Sequence, residues 1–159
     1  AIIWMDCDFS HPPQKIGELV AKLESGHDVA VASRYVAGGG DYRAQSRQPV
    51  IILQVLLSYI LRVFTTFMLR LPFSDWSSGY IAIRKSAVVQ LLPLRGDYGE
   101  YFIVLIASAF KHKLSVIEIP YKNYNRIRGE SKTATNVWGL IKRGRKYIKT
   151  VLEVRFNEV

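Results

Sequence analysis

The chain opens on a continuous apolar run, Ala-Ile-Ile-Trp-Met, and two carboxylates, Asp6 and Asp8, follow it directly. A short apolar run bounded at once by polar residues has the pattern of a strand buried on both faces, as in a parallel sheet. The next residues, "SHPP", lead into "QKIGELVAKLESG", where Ile16, Leu19, Val20 and Leu23 share one helical face and Gly26 ends the helix. "DVAVASRYV" is a second run rich in β-formers. Strand, helix and strand in this order form a βαβ unit, whose crossover makes the strands parallel. In such sheets ligands bind beyond the carboxyl ends of the strands, which puts Asp6, Asp8, Ser33 and Arg34 on one rim.

The rest of the chain continues the alternation. "AGGGDYRAQSRQP" is a Gly-rich loop carrying Arg43 and Arg47, and a long helix from about Val50 to Leu69 follows, stopped by Pro72. That helix is interrupted by Gln54, Ser58, Tyr59 and Arg62, so it reads as half-buried or interfacial rather than as a membrane span. "SDWSSGYIAIRKSAV" reads as a turn, a short strand and a helix start; "GDYGEYFIVLIASAFKHK" as a buried helix; "LSVIEIPYKNYN" as a strand. A polar loop, "RIRGESKTAT", precedes a last segment in which Trp138, Ile141, Ile148 and Leu152 fall near helical spacing among Lys142, Arg143, Arg145, Lys146 and Lys149. This is a basic amphipathic helix, the type that lies at a bilayer interface; an ordinary surface helix packing its apolar stripe on the core has the same periodicity. The expected organisation is one α/β unit over 1–134 and a membrane-surface helix over 135–159.

Charge is unevenly placed. Of the net +9, seven units lie from Lys122 onward, where ten Lys and Arg face three Glu. Such a region suits an anionic membrane surface or phosphorylated ligands. A nucleic-acid partner is not expected, because the aromatic and basic residues between Tyr121 and Arg128 belong to no nucleic-acid motif. The single cysteine, Cys7, excludes an internal disulfide framework and a cysteine zinc site, and is expected as a small buried residue.

Two carboxylates at the end of a buried strand cannot both point into a core, because an unpaired buried charge is too costly. They call for a cation, and oxygen donors suit a hard divalent ion such as Mg²⁺ or Mn²⁺, whose remaining shell is completed by substrate phosphates and water. His11 could join such a site, but before Pro-Pro it reads rather as an exposed turn residue. Arg34, Arg43, Arg47, Arg126, Arg128 and Lys132 all fall on expected loops, and several of them on one rim would bind polyanions. No Ser-His-Asp order, Cys-His pair or P-loop spacing is present, so a protein nucleophile is not expected.

Five stretches, "MDCDFSHPP", "VASRYVAGGG", "SDWSSGYIAIRKS", "GDYGEYF" and "IEIPYKNYNRIRGESKT", occur in the order and approximate spacing of the polyprenyl-phosphate glycosyltransferases of glycosyltransferase family 2. The chain resembles most the dolichol-phosphate mannose synthase group, over nearly its whole length. The resemblance implies a GT-A fold, Rossmann-like, with a mostly parallel sheet flanked by helices. It also implies inverting transfer of a hexose, expected to be mannose, from a nucleotide sugar (GDP-mannose, or UDP-glucose in the cousins) to a polyprenyl or dolichyl phosphate. The expected place is the cytoplasmic face of a membrane, as a peripheral protein.

Carried over motif by motif, Asp6 and Asp8 resemble the metal pair, with Asp8 the direct ligand. Arg34 resembles an acceptor-side residue, and Asp75 the family aspartate near the sugar. Arg126 and Lys132, with Ser131 as a hydroxyl partner, resemble the groups that contact donor or acceptor phosphates, and Arg34 and Arg47 are counted with them. Relatives carry further βαβ units before Asp-x-Asp, so the resemblance implies a domain truncated at its N-terminus. Val104 stands where relatives often have a glutamate. Ser58 matches a family serine, while Gln54 falls near an expected basic residue, with Arg43 or Arg47 as its substitute. The alternative expectation is a non-catalytic, membrane-associated lipid-phosphate binding fragment that binds no nucleotide.

Overall fold

The computed structural model describes residues 1–94, 96, 98–124 and 137–156, with the backbone alone for 137 and 138. Strand β1 (Ile2–Trp4) is followed by helix α1 (Lys15–Glu24) and strand β2 (Val29–Ser33). A short strand β3 (Gly40–Asp41) and a 3-10 turn (Tyr42–Gln45) lead to the long helix α2 (Pro49–Leu69). Strand β4 (Ile81–Ile83) then precedes helices α3 (Lys85–Leu91) and α4 (Tyr101–Lys111). Strands β5 (Val116–Pro120) and β6 (Lys122–Asn123) and helix α5 (Val137–Phe156) complete the described elements.

The main sheet has the order β1-β4-β2-β5, and β3 pairs with β6 in a separate two-stranded ladder. β2 and β5 are parallel, with Val29 opposite Val116 and Ser33 opposite Pro120. β4 is antiparallel to both β1 and β2. Three of the four strands therefore run the same way, as expected of the βαβ unit, but β4 lies between the two strands that α1 connects. For β1 this corrects the expectation of burial on both faces. It is an outer strand of the described sheet, and all three of its residues are only half-buried.

The alternation of side chains along β2 and β4 builds two different faces. Val29, Val31, Ile81 and Ile83 point to a thick core shared with Phe73, Trp76, Phe102 and Ile106. Ala30, Ala32 and Ala82 point the other way, and their small side chains let α1 approach closely with Leu19 and Leu23. Bulky β-branched residues on one face and alanines on the other thus allot a deep layer of helices to one side and a single helix to the other. α1 ends where Gly26 takes φ +107°, a left-handed conformation suited to glycine. α2 ends earlier than Pro72 would require, at Arg70 in the left-handed region (φ 54°).

α2 and α5 pack against each other, and α5 also contacts α4. In α5 the residues that reach the core are Leu140, Tyr147 and Val151. Of the expected stripe, Ile141, Ile148 and Leu152 are exposed, with Phe156, and the Trp138 side chain lies outside the described residues. The helix therefore has two apolar stripes, one buried and one facing outward, and the reading in which Ile141, Ile148 and Leu152 pack on the core does not hold.

Candidate functional site

The carboxylate-bearing loop leaves β1 and turns sharply. Phe9 sits at φ 63°, and the Asp8 carboxylate closes the turn by accepting from the Ser10 N–H (3.0 Å) and the Ser10 hydroxyl (2.6 Å) through one oxygen. Asp6 is exposed and Asp8 half-buried; Cys7 between them is exposed rather than buried, because this loop stands above the sheet edge instead of entering it.

His11 departs most from expectation. It is buried, stacks on Tyr80 (centroids 4.9 Å apart, planes 6° apart) and meets the edge of Tyr121 at 5.5 Å. Its Nδ1 accepts the Asp6 N–H at 3.0 Å. Burial lowers its pKa below the usual histidine value, with Asp6 opposing, so the ring is neutral near pH 7. With Nδ1 occupied as an acceptor, the hydrogen is on Nε2. Tyr80 in turn donates its hydroxyl to the Pro12 carbonyl at 2.9 Å. The ring thus pins the backbone at Asp6 to the aromatic core, and is not a metal donor through Nδ1.

Behind this loop lies a buried ion pair. Arg34, at the carboxyl end of β2, donates Nε to Asp75 Oδ2 (2.8 Å) and Nη2 to Asp75 Oδ1 (2.6 Å), and its own backbone N–H reaches Oδ2 at 2.8 Å. Nη2 also donates to Ser77 Oγ (2.8 Å). The two side chains are 4% and 0% exposed, so water screens neither. Burial alone would lower the Arg34 pKa, but the Asp75 carboxylate outweighs it and the guanidinium stays charged. The turn bearing Asp75 is itself held from β5, where the Glu118 carboxylate accepts the N–H groups of Ser74 (2.8 Å) and Asp75 (3.0 Å). Arg34 is therefore at the rim, as expected, but corrects the picture of a loop cation, since Asp75 balances its charge.

A second pair flanks the first. Arg43 grips Asp41 through Nε (2.8 Å) and Nη2 (2.6 Å), and Arg34 Nη1 lies 3.4 Å from the same carboxylate. This loop is pressed onto the end of β2: a Cβ on Gly39 would stand 2.6 Å from the Ser33 carbonyl oxygen, so only glycine fits. With its nitrogen turned to the Ser10 carbonyl (3.1 Å) and its oxygen to Arg43 Nε (3.0 Å), the Asn123 amide links this pair to the Asp8 turn. Burial would raise the Asp41 pKa, yet the hydrogen bonds and charge of Arg43, with Arg34, hold it below the usual carboxylate range. A folded value below the unfolded one stabilises above the ordinary aspartate pKa of about 3.9, and this contribution is lost as pH falls through the folded value. Urea titrations from pH 6 to pH 2 are expected to show the stability gap between wild type and Asp41→Asn closing on acidification. A gap independent of pH would contradict the pairing.

One rim thus carries Asp6, Asp8, Arg34 and Asp75, all four within electrostatic reach of His11. Arg47 is exposed just before α2, with no ion pair among the described residues. Arg126, Arg128, Ser131 and Lys132 lie outside the described residues. Among the described residues no group of three or more His, Cys, Asp or Glu side chains is gathered for a metal. Asp6 and Asp8, two carboxylates on one exposed turn, nevertheless fit Mg²⁺ or Mn²⁺, which take one or two carboxylates and leave the other positions to phosphate and water. Sequence reasoning missed the roles of His11, Asp41 and Glu118. The only local signal was Asp41 beside Arg43; His11 and Glu118 are recruited by residues far away in the chain.

Beside the rim, α2 is apolar and long enough to cross a membrane by length and composition, yet Thr65 is its one buried residue. Ile52, Leu56, Ile60, Val63 and Phe67, spaced at helical intervals, are all exposed. Thr66 Oγ1 accepts the Trp76 indole N–H at 3.1 Å, which ties this helix to the turn bearing Asp75.

Comparison with known proteins gives this geometry a relation. The sequence model of glycosyl transferase family 2 matches residues 1–92. A dolichol-phosphate mannosyltransferase of Pyrococcus furiosus is 34% identical over 137 residues, covering 80% of this chain and 34% of the relative. A polyprenol monophosphomannose synthase of Mycolicibacterium smegmatis is 30% identical over 133 residues, covering 82% of this chain and 48% of the relative. The chain spans between a third and a half of the length of these curated relatives.

Proposed function

The chain belongs to glycosyl transferase family 2, and on that premise we propose that it serves transfer of a hexose, mannose from GDP-mannose, to a polyprenyl or dolichyl phosphate, with inversion at the anomeric carbon. The observation that carries this reading is the pair of carboxylates on an exposed turn at the strand end, set against the buried Arg34–Asp75 pair. Asp6 and Asp8 would hold Mg²⁺ or Mn²⁺, which supplies stabilisation of the charge on the leaving nucleotide diphosphate.

A phosphate monoester is mostly dianionic at neutral pH, with a second pKa near 6, so the acceptor attacks without a general base. This accords with a rim whose only described histidine is buried, neutral and occupied at Nδ1. What the chain must supply is orientation and charge. Asp75 fixes Arg34, and Asp41 fixes Arg43, so the rim's guanidinium groups are placed before substrate arrives. Arg47, with Arg126, Lys132 and Ser131, is assigned to the phosphates. The outward apolar faces of α2 and α5, with the basic residues of α5, support a peripheral seat on an anionic membrane surface, here assigned to the cytoplasmic face. No nucleic acid is needed by this reading.

The test is transfer by the purified chain of labelled hexose from GDP-mannose, with UDP-glucose in parallel, to a polyprenyl phosphate in vesicles with Mn²⁺ or with chelator. Metal-dependent formation of a lipid-linked sugar supports the reading. Binding to the vesicles without calorimetric affinity for either nucleotide sugar would instead assign a lipid-phosphate binding fragment.

A further inference from the structure

Arg62 is the one charged residue in the twenty-one of α2. A charge there is expensive on a helix whose exposed surface is mostly Ile, Leu, Val and Phe, with Tyr59 and Thr66. Its guanidinium carbon lies 4.7 Å from the centroid of Tyr35 and 5.7 Å from that of Tyr59, and the two rings meet edge to face at 6.5 Å. Tyr35 follows Arg34 directly, and its ring is 5.2 Å from the Arg34 guanidinium carbon. One tyrosine ring thus joins the buried ion pair of the rim to the cation on the apolar helix.

The two arginines differ in what balances them. Arg34 is neutralised by Asp75, and its neighbour Arg43 by Asp41. Arg62 makes no ion pair among the described residues, and its Nε is buried with no hydrogen-bond partner. Aromatic faces hold a guanidinium in place without using its in-plane N–H donors. The result is an oriented planar cation with its fork of donors unspent, on an apolar surface beside the rim. Such a fork suits the oxygens of a phosphate, bound bidentately, and a dianion compensates it better than a carboxylate.

We propose that Arg62 is a binding residue for the phosphate monoester headgroup of a lipid acceptor, whose hydrocarbon chain lies along the exposed apolar face of α2. The inference rests on the proposed lipid-phosphate acceptor and adds the residue that selects a monoester headgroup over other anionic lipids. Tyr35 and Tyr59 position the guanidinium; Arg34 stays committed to Asp75.

The test uses the whole chain and phosphatidylcholine vesicles of three kinds: plain, with a polyprenyl monophosphate, and with phosphatidylserine at matched surface charge. Wild type is expected to prefer the monophosphate vesicles. Arg62→Gln is expected to lose about tenfold in affinity for them, the worth of one charge-assisted contact, while phosphatidylserine binding stays within about twofold. Arg62→Lys, which keeps the charge but not the fork, is expected to fall between, and both variants should keep the wild-type melting temperature within a few degrees. Millimolar inorganic phosphate displacing the wild type would show that the headgroup alone is recognised; failure to displace it would show that the lipid chain contributes. A wild type without monophosphate preference overturns the acceptor reading and this inference together. A preference that survives in Arg62→Gln, or an equal loss on both anionic vesicles, overturns the inference alone.

Discussion

Replacing Asp75 by alanine is expected to destabilise the fold by about 3–5 kcal/mol, the cost of leaving a buried charge without its partner. Arg34 would keep its charge in a site where its side chain is 4% exposed, with Ser77, the Tyr35 ring and a 3.4 Å contact to Asp41 remaining. The backbone N–H of Arg34 would lose its acceptor as well. Asp75→Asn, which keeps the shape and one acceptor, is expected to cost less. The double replacement Arg34→Met with Asp75→Leu is expected to recover much of the loss, because it removes the stranded charge along with the pair. Urea denaturation with an unchanged m-value is the measurement. A loss below about 1 kcal/mol for Asp75→Ala would mean that the pair behaves as an exposed one.

Asp8→Ala is expected to carry the largest effect on function, a fall in metal-dependent transfer of about 10² to 10³-fold, typical of removing a group that stabilises developing charge. The same replacement should abolish Mn²⁺ binding measured by electron paramagnetic resonance, which reads the site independently of turnover. Two losses are combined in it. One carboxylate of the proposed ion site is gone, and so is the acceptor of the Ser10 N–H and hydroxyl that closes the turn. Asp8→Asn separates them, since an amide oxygen still accepts from Ser10 but brings no charge to a cation. Retained Mn²⁺ affinity in Asp8→Asn would place the metal elsewhere. The fold itself should tolerate both variants, because the loop is half-exposed and His11, not Asp8, pins it to the aromatic core.

The elements were legible in the chain because each carries a local period. Helices α1 and α4 and strands β2 and β5 follow directly from where apolar residues recur. The same local reading placed the long helix within a residue of its observed start. It failed where burial depends on a partner far away. The stripe through Ile141, Ile148 and Leu152 and the one through Leu140, Tyr147 and Val151 have the same spacing, and only the packing of α5 on α2 and α4 selects the second for the core. His11 looked like a turn residue because nothing within ten positions announces Tyr80 and Tyr121.

By itself the sequence determined the βαβ order, the placing of Asp6 and Asp8 at a strand end, and the family to which the chain belongs, since these rest on short-range patterns and on motifs in linear order. The tertiary structure alone decided that β4 lies between β1 and β2 and that Arg34 finds Asp75, 41 positions on. It also decided that Arg62 is left with aromatic rings and no carboxylate among the described residues. The reason is physical. Whether a charge is free or spent depends on which groups desolvate and face it, and strand order, not sequence distance, sets those neighbours.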